Sequence, residues 1–458
     1  MLKKNKIENK NKGRNFLYPK KPSGKLYAYR KWISHILFLF LFSCPFLRLN
    51  GEQLVLLNFI ERKFVFFGLI FTPQDFYLFA LAMLIFIMFI VCFTVVLGRL
   101  WCGWACPQTI FMEMVFRRIE YWIEGDANKQ RKLDASEWNA EKIFKKGIKH
   151  LIFLIISFAI ANIFLAYMIG SNVLIKIITE PITGHVSGFI AIWLFTLIFY
   201  GVFAYVREVV CTVICPYGRL QGVLLDNQSL VVAYDYTRGE PRGQLQKNET
   251  ETKNGDCVDC NLCVQVCPTG IDIRQGTQLE CVNCTACIDS CNEVMLKIDK
   301  PKNLIGFFNQ DFIKERKPYK VGLKSYGYAA VLFAVLIVFS SLIYKREDIQ
   351  TTVLRASGTL YQSRGNNKTS NLYNAELINK TNKNLKFYFR SKDTDDEIDF
   401  IQRTDILPKE GSTHLTFFLV RKNSSLKKYK TNAVFEIVVN GEVLSTATTS
   451  FFAQPAAE

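Results

Sequence analysis

Long apolar runs, separated by densely charged or alternating stretches, organise this 458-residue chain. A helix needs about 20 mostly apolar residues to cross a bilayer core, where an unpaired backbone group has no partner. Five segments meet or approach that length: 32–47, 76–98, 148–169, 186–206 and 326–344. The first is the shortest and ends at Cys44-Pro45. The charged region before it is too long for a signal peptide and no small-residue cleavage site follows, so it reads as a retained anchor. The run 64–71 is too short to cross and reads as an interfacial segment. After residue 350 the period changes to two. Residues 385–390, 413–420 and 434–439 alternate, and Asn440-Gly441 ahead of 442–446 is a hairpin signal. About 100 residues of such strands suit an immunoglobulin-like β-sandwich, for which docking is the default role.

Charge orients these segments. Residues 1–31 hold 11 Lys/Arg against one acid, and residues 99–149 hold 10 against 7, whereas 48–75 and 170–187 are balanced. Lys/Arg-rich loops stay cytoplasmic. The N-terminus is therefore expected inside, residues 206–325 inside, and everything after Tyr344 outside. A net charge of +17 might suggest nucleic acid, but most of the excess is this tail, so no nucleic-acid partner is expected. The division that follows is a basic cytoplasmic tail (1–31), a four-span membrane domain (32–225), a cytoplasmic ferredoxin-type module (226–325), a fifth transmembrane helix (326–344) and a periplasmic β domain (345–458). All 14 cysteines precede residue 292. They fall in the membrane part or on the side where thiols stay reduced, which favours metal ligation over disulfides.

Residues 257–268 read CVDCNLCVQVCP and residues 281–291 read CVNCTACIDSC. Each is C-x2-C-x2-C-x3-C, the ferredoxin run, in which the fourth cysteine ligates the other cluster. One [4Fe-4S] cluster is thus assigned to Cys257, Cys260, Cys263 and Cys291, the second to Cys281, Cys284, Cys287 and Cys267. Zinc sites also use paired C-x2-C motifs, but they need only four ligands per ion and not two tandem quartets in this register. The proline after Cys267 has no counterpart at Asn292. Two clusters in one small fold make an electron wire.

A second pattern lies at the cytoplasmic ends of two spans: Arg99, then Cys102 and Cys106-Pro107; Arg207, then Cys211 and Cys215-Pro216. Both read C-x3-C-P, a weak internal repeat that suggests two equivalent helix-loop units. Proline disfavours helix before it and favours the first helical position, so Cys106 and Cys215 are expected to open helices over 107–124 and 216–226. A helix N-terminus favours the thiolate, and soft thiolate and thioether ligands select Cu(I). Met112 and Met114 follow one pair, and Met83, Met88 and Cys92 precede it. These methionines, the isolated Cys44 and Cys92, and His35, His150 and His185 read as packing or interface residues. Spacing alone leaves copper binding, a redox disulfide and a quinone pocket open for the paired motifs.

The basic tail, WCGWACPQT at 101–109, CTVICPYGRLQG at 211–222, the double ferredoxin run joined by IDIRQGTQLE, CNEVM at 291–295, the last span and the β domain together resemble the cytochrome c oxidase accessory protein family known as CcoG, FixG or RdxA. The resemblance covers nearly the whole chain. It implies a multi-pass protein of the bacterial inner membrane that reduces Cu(II) to Cu(I) for the copper centre of a cbb3-type oxidase. It also implies Cys102, Cys106, Cys211 and Cys215 as copper contacts. Copper is then a substrate ion, and the partners are a cytoplasmic electron donor and a copper chaperone or oxidase subunits, with a homodimer left open. A quinol dehydrogenase of the NapH type shares the spans, C-x3-C-P motifs and clusters, though the appended β domain argues against it. A non-catalytic assembly scaffold is a third possibility. The expected fold is a polytopic α-helical membrane protein of about five spans, with a cytoplasmic ferredoxin-like two-cluster module and a C-terminal immunoglobulin-like β-sandwich.

Overall fold

The structure, a computed structural model, describes residues 16–453 apart from 50, 72–74, 245–254, 318–319, 357, 359, 366 and 427. The first half of the basic tail, residues 1–15, lies outside the described residues. The chain forms two compact units. One holds Met83–Ala166, Asn172–Val335 and the described part of Met1–Ser43; the other holds Cys44–Ala82, Tyr167–Ser171 and the described part of Leu336–Glu458.

Among the described residues, four helices are long and apolar enough to cross a membrane: Phe76–Leu97, Ala140–Ile169, Val186–Val206 and Leu323–Tyr344. They correspond to the second to fifth expected segments. Phe76–Leu97 carries no charged side chain, as a helix facing hydrocarbon on most sides must. Ala140–Ile169 starts eight residues before the expected edge, because its first turns are a Lys-rich helix that simply continues into the apolar part. The first segment behaves differently. Its helix is Lys25–Ser43, which begins inside the basic tail and stops before Cys44-Pro45. Only its last 12 residues are free of charge, a rise of about 18 Å against a core of about 30 Å. Arg30 and Ser34 on this helix are buried.

In the first unit, Phe111, Met112, Phe116, Phe153, Ile160 and Phe203 pack together, with Phe116 and Phe203 stacked at 4.4 Å. The ferredoxin-type module follows. Strand Val231–Tyr234 pairs antiparallel with Ile305–Phe308, and helices Leu262–Gln265 and Ala286–Lys297 pack under the two cysteine runs.

In the second unit, the expected sandwich is present. Ile349–Arg355, Lys368–Asn379, Ser412–Lys422 and Glu397–Gln402 pair in that order, with Gln362–Arg364 at one end of Lys368–Asn379. Tyr388–Ser391, Lys430–Val439 and Glu442–Phe452 form the facing sheet. Tyr373, Phe417, Phe435 and Phe451 fill the space between. Asn440 and Gly441 both have positive φ, 51° and 91°, which matches the right-handed twist of the hairpin they close. Residues 64–71, expected as an interfacial segment, fold into strands: Val55–Asn58, Lys63–Phe66 and Leu69–Phe71 form an antiparallel meander with Val65 and Ile70 inward. Their alternation was hidden by aromatic residues on both faces.

Asp75 is buried in this unit between Arg346 Nη2 at 2.8 Å and Lys380 Nζ at 2.6 Å. Removing a carboxylate from a buried cluster strands its cations. Asp75→Asn is expected to destabilise the second unit by about 3–5 kcal/mol, read by thermal unfolding of the purified full chain. A variant within about 0.5 kcal/mol of the parent would show that the two cations find water instead.

Candidate iron–sulfur and thiol site

The two cysteine runs share one backbone device. Asp259 and Asn261 flank Cys260 with φ of 51° and 59°; Asn283 and Thr285 flank Cys284 with 52° and 66°. Left-handed backbone on either side of the second cysteine turns the chain tightly enough for three thiols to face one point. Asn and Asp tolerate this conformation, whereas a β-branched residue such as Thr285 adopts it only where surroundings dictate. Asn261 and Thr285 then open the helices that carry Cys263 and Cys287 in their first turns.

Two cavities divide the eight thiols. One is lined by Cys267, Cys281, Cys284 and Cys287 with Val232, Ile271 and Ile273. The other is lined by Cys257, Cys260, Cys263 and Cys291 with Tyr234 and Met295. Cys263 borders both. All eight are free of disulfides. Each quartet lines one cavity, and four thiols are what a four-iron cluster takes. Burial pushes the Cys281 and Cys291 thiols up to about 12, and Cys263 to about 11, so a cationic core is what would convert them to thiolates.

The C-x3-C-P motifs fold as their prolines predict. Cys106 caps the helix Pro107–Phe111, which continues through the π-helical turn Met112–Phe116 into Arg117–Ile123; Cys215 caps Pro216–Leu224. The motifs also meet. Thr109 of the first lies 3.7 Å from the Cys211 sulfur, and the Cys102 thiol donates to Gln221 Oε1 at 3.0 Å. Gly218 allows this approach, since a β-carbon there would stand 2.7 Å from the Cys211 carbonyl and 2.9 Å from Arg99 Nη2. Burial pushes the first thiol of each pair up, Cys102 to about 12 and Cys211 to about 11.

The cysteine runs and the C-x3-C-P motifs adjoin. Gly103 lies so close to the Val282–Asn283 backbone that a β-carbon would be 2.4 Å from the Val282 carbonyl, and Trp104 Nε1 donates to the Asn283 carbonyl at 3.3 Å. Arg117, buried, pairs with Glu113 at 2.5 Å and Glu208 at 3.2 Å and donates to the Pro268 carbonyl at 3.1 Å. A further cavity of about 320 Å³ is lined by Gln108, Thr109, Met112 and Cys211 on one side and Pro268, Thr269 and Val282 on the other. Those last three residues also line the Cys267/Cys281/Cys284/Cys287 cavity. One wall thus separates a C-x3-C-P thiol from one set of ferredoxin thiols. Sequence reasoning reached the cysteines but not Gly103, Gly218 or Gln221, although two of these lie in the quoted CTVICPYGRLQG.

The residues set aside in the sequence are accounted for locally. His150 Nδ1 lies 2.9 Å from Tyr200 OH, His185 Nε2 lies 2.6 Å from Glu180, and His35 Nδ1 is 2.6 Å from the Lys31 carbonyl. Cys44 is buried with Tyr167 as its neighbour.

Comparison with known proteins agrees with this geometry. A 4Fe-4S dicluster domain model matches residues 206–310, a 4Fe-4S binding domain model matches 79–129, and the immunoglobulin-like fold at the C-terminus of FixG matches 339–454. Protein RdxB of Cereibacter sphaeroides is 34% identical over 80% of this chain and 79% of its own. RdxA of the same organism is 31% identical over 81% of each. The chain belongs to the FixG/RdxA family. The nitrogen fixation protein FixG of Rhizobium meliloti is 38% identical over 64% of this chain and 57% of FixG. As a FixG/RdxA protein it is a membrane iron–sulfur electron-transfer protein with an immunoglobulin-like C-terminal domain.

Proposed function

We propose that this FixG/RdxA protein reduces Cu(II) to Cu(I) for assembly of a cbb3-type oxidase, passing electrons from a cytoplasmic donor through two [4Fe-4S] clusters to copper held by C-x3-C-P cysteines. The carrying observation is the shared wall: Pro268, Thr269 and Val282 bound both the Cys267/Cys281/Cys284/Cys287 cavity and the one that Cys211 and Met112 line. Each cavity's thiol quartet supports the cross-ligated assignment, Cys257, Cys260, Cys263 and Cys291 for one cluster and Cys281, Cys284, Cys287 and Cys267 for the other. When bound, such clusters supply electrons singly, which matches a one-electron metal reduction. Cys260 is exposed, which gives a soluble donor access to the cluster away from the copper site.

The C-x3-C-P cysteines supply soft ligands that hold Cu(I) better than Cu(II), so binding favours the product of the reduction. The Met112 thioether lines the same cavity as Cys211 and adds a further soft ligand. The two motifs are not equivalent here. Cys211 opens on the shared cavity, whereas Cys102 is tied to Gln221. The family's β domain favours this reading over a quinol dehydrogenase. The membrane is the bacterial inner membrane, with the N-terminus and clusters cytoplasmic and residues 345–458 periplasmic, an orientation that counts Lys25–Ser43 as a crossing beside the four longer helices.

The test is a stoichiometric one. Protein reduced anaerobically and freed of reductant is expected to convert about two Cu(II) to Cu(I) per chain, one per cluster, read with a Cu(I)-specific chelator. Changing Cys102, Cys106, Cys211 and Cys215 to Ser should lose most of this, and Cys211→Ser alone should cost more than Cys102→Ser. Unchanged conversion in the four-serine variant removes the copper assignment. Cluster reduction by a menaquinol analogue without copper would favour the quinol dehydrogenase.

A further inference from the structure

The two arginines that introduce the C-x3-C-P motifs look alike in sequence and are used differently. Arg207 grips Glu120 with both terminal nitrogens at 2.8 Å. Arg99 is just as buried and has no carboxylate among its hydrogen-bond partners: its Nε donates to the neutral Gln221 Oε1 at 3.1 Å, and Nη1 has no partner. A second arginine repeats the arrangement. Arg30, on the helix Lys25–Ser43, is 1% exposed; its Nε donates to the Gly103 carbonyl at 2.7 Å, and its Nη2 is unpartnered. Burying a guanidinium without a counter-charge is costly, so some anion should compensate it.

The backbone beside Arg99 and the backbone that Arg30 holds both meet one loop. Gly98, beside Arg99, approaches Asn283 so closely that a β-carbon would be 3.0 Å from Asn283 Nδ2, and Gly103, the residue Arg30 holds, abuts Val282 and Asn283. This loop joins Cys281 to Cys284. Around the other quartet the balance is reversed. Its lining cation, Arg274, is neutralised by Asp259 at 2.5 Å and Asp272 at 2.7 Å. A four-iron cluster with four thiolates is anionic and gains a further negative charge on reduction. Fixed cations nearby therefore raise its potential, and paired ones do so far less.

We propose that Arg30 and Arg99, buried cations with no carboxylate among their hydrogen-bond partners, stabilise the reduced form of the cluster held by Cys267, Cys281, Cys284 and Cys287, selectively over its neighbour. The electron is thereby retained at the quartet that shares a wall with the Cys211 cavity. Arg30 is then more than one of the tail's topology charges, and Arg99 more than a repeat of Arg207. Both act through the cluster as positioning residues. The inference rests on the iron–sulfur ligation proposed above and not on copper as the acceptor.

Redox potentiometry followed by EPR on the purified full chain tests it. Iron content and two resolved reduction steps in the parent establish the ligation, and their absence would fail that reading rather than this one. Arg30→Gln and Arg99→Gln are each expected to move one step to lower potential and leave the other in place, with a larger shift in the double variant. Asp272→Asn, which frees a cation at the other quartet, should raise the other step. Steps that stay fixed in the Gln variants, or that move together by equal amounts, overturn the proposal. Arg30→Lys and Arg99→Lys keep the charge and lose the guanidinium bonds. Both steps should stay in place, and a shift as large as that of removing the charge overturns the proposal even where the Gln variants do not fold.

Discussion

Cys267→Ser is expected to remove the cluster of the second cysteine run, although Cys267 lies in the first. The variant should keep about half its iron, and the surviving cluster should have the EPR signature lost in Cys291→Ser. The reason is geometric. Each run turns back on itself around its second cysteine, at Asp259–Asn261 and at Asn283–Thr285, and its first three thiols face one cavity. The fourth follows a further helical stretch and emerges at the other cavity, Cys267 beside Cys281, Cys284 and Cys287, and Cys291 beside Cys257, Cys260 and Cys263. The functional consequences should differ. With Cys267→Ser the remaining cluster still accepts electrons, yet the wall shared with the Cys211 cavity no longer has a cluster behind it. Copper reduction should fall to near background while donor oxidation persists. In Cys291→Ser the copper-side cluster remains, so chemically reduced protein should still convert Cu(II), at about one ion per chain rather than two. If Cys267→Ser instead spared the second cluster, each run would fill its own cavity and the assignment would be wrong.

The grouping of the thiols around two cavities was legible because the spacing of a cysteine run encodes a three-dimensional turn. The same holds for Cys106-Pro107 and Cys215-Pro216: proline fixes where a helix can begin, and both helices begin there. The hairpin at Asn440-Gly441 is legible for the same reason, since few dipeptides accept two successive positive φ values. Other parts obey no local rule. The central strand Lys368–Asn379 hides its inward row of Tyr373, Ala375 and Leu377 among Asn371, Asn374 and Asn379, polar residues that read as loop. The helix Lys25–Ser43 begins in the basic tail because its N-terminus is capped from far away: the Asp289 carboxylate accepts from the backbone of Leu26 at 3.2 Å and of Tyr27 at 2.8 Å. A cap supplied 260 residues downstream leaves no local trace. Least legible is the difference between Arg99 and Arg207. It depends on whether a glutamate from another helix reaches the site, and Glu120 reaches only Arg207 of the two.

Glu120→Gln should expose the cost of that pairing. Glu120 is 3% exposed and holds Arg207 in a two-pronged pair at 2.8 Å, with Lys149 Nζ at 3.9 Å from the same carboxylate. Glu124 completes the network by bridging Lys149 at 2.9 Å and Lys146 at 3.0 Å. An amide keeps the shape but not the charge, so Arg207 is left buried with Glu208 at 3.7 Å as its remaining carboxylate. The expected loss is about 3–5 kcal/mol, measured by thermal unfolding of the chain in lipid nanodiscs. Because Arg207 adopts a left-handed backbone, with φ of 56°, immediately before the Cys211 motif, the same variant should loosen Cys211 and raise its reactivity toward a thiol probe. Removing both partners, Glu120→Gln with Arg207→Gln, should cost less than Glu120→Gln alone, since no charge is then stranded. The pH dependence has a definite sign. Burial alone would raise the Glu120 pKa, but the Arg207 and Lys149 charges outweigh it and hold the carboxyl below its ordinary 4.5. A depressed folded-state pKa gives stability that is fully present above the unfolded value and is lost as pH falls through the folded one. The parent should therefore lose stability below about pH 4.5 in excess of Glu120→Gln, and the two unfolding curves should approach each other on acidification. Curves that stay parallel down to pH 3 would mean that Glu120 is already protonated in the folded chain and that Arg207 is neutralised elsewhere.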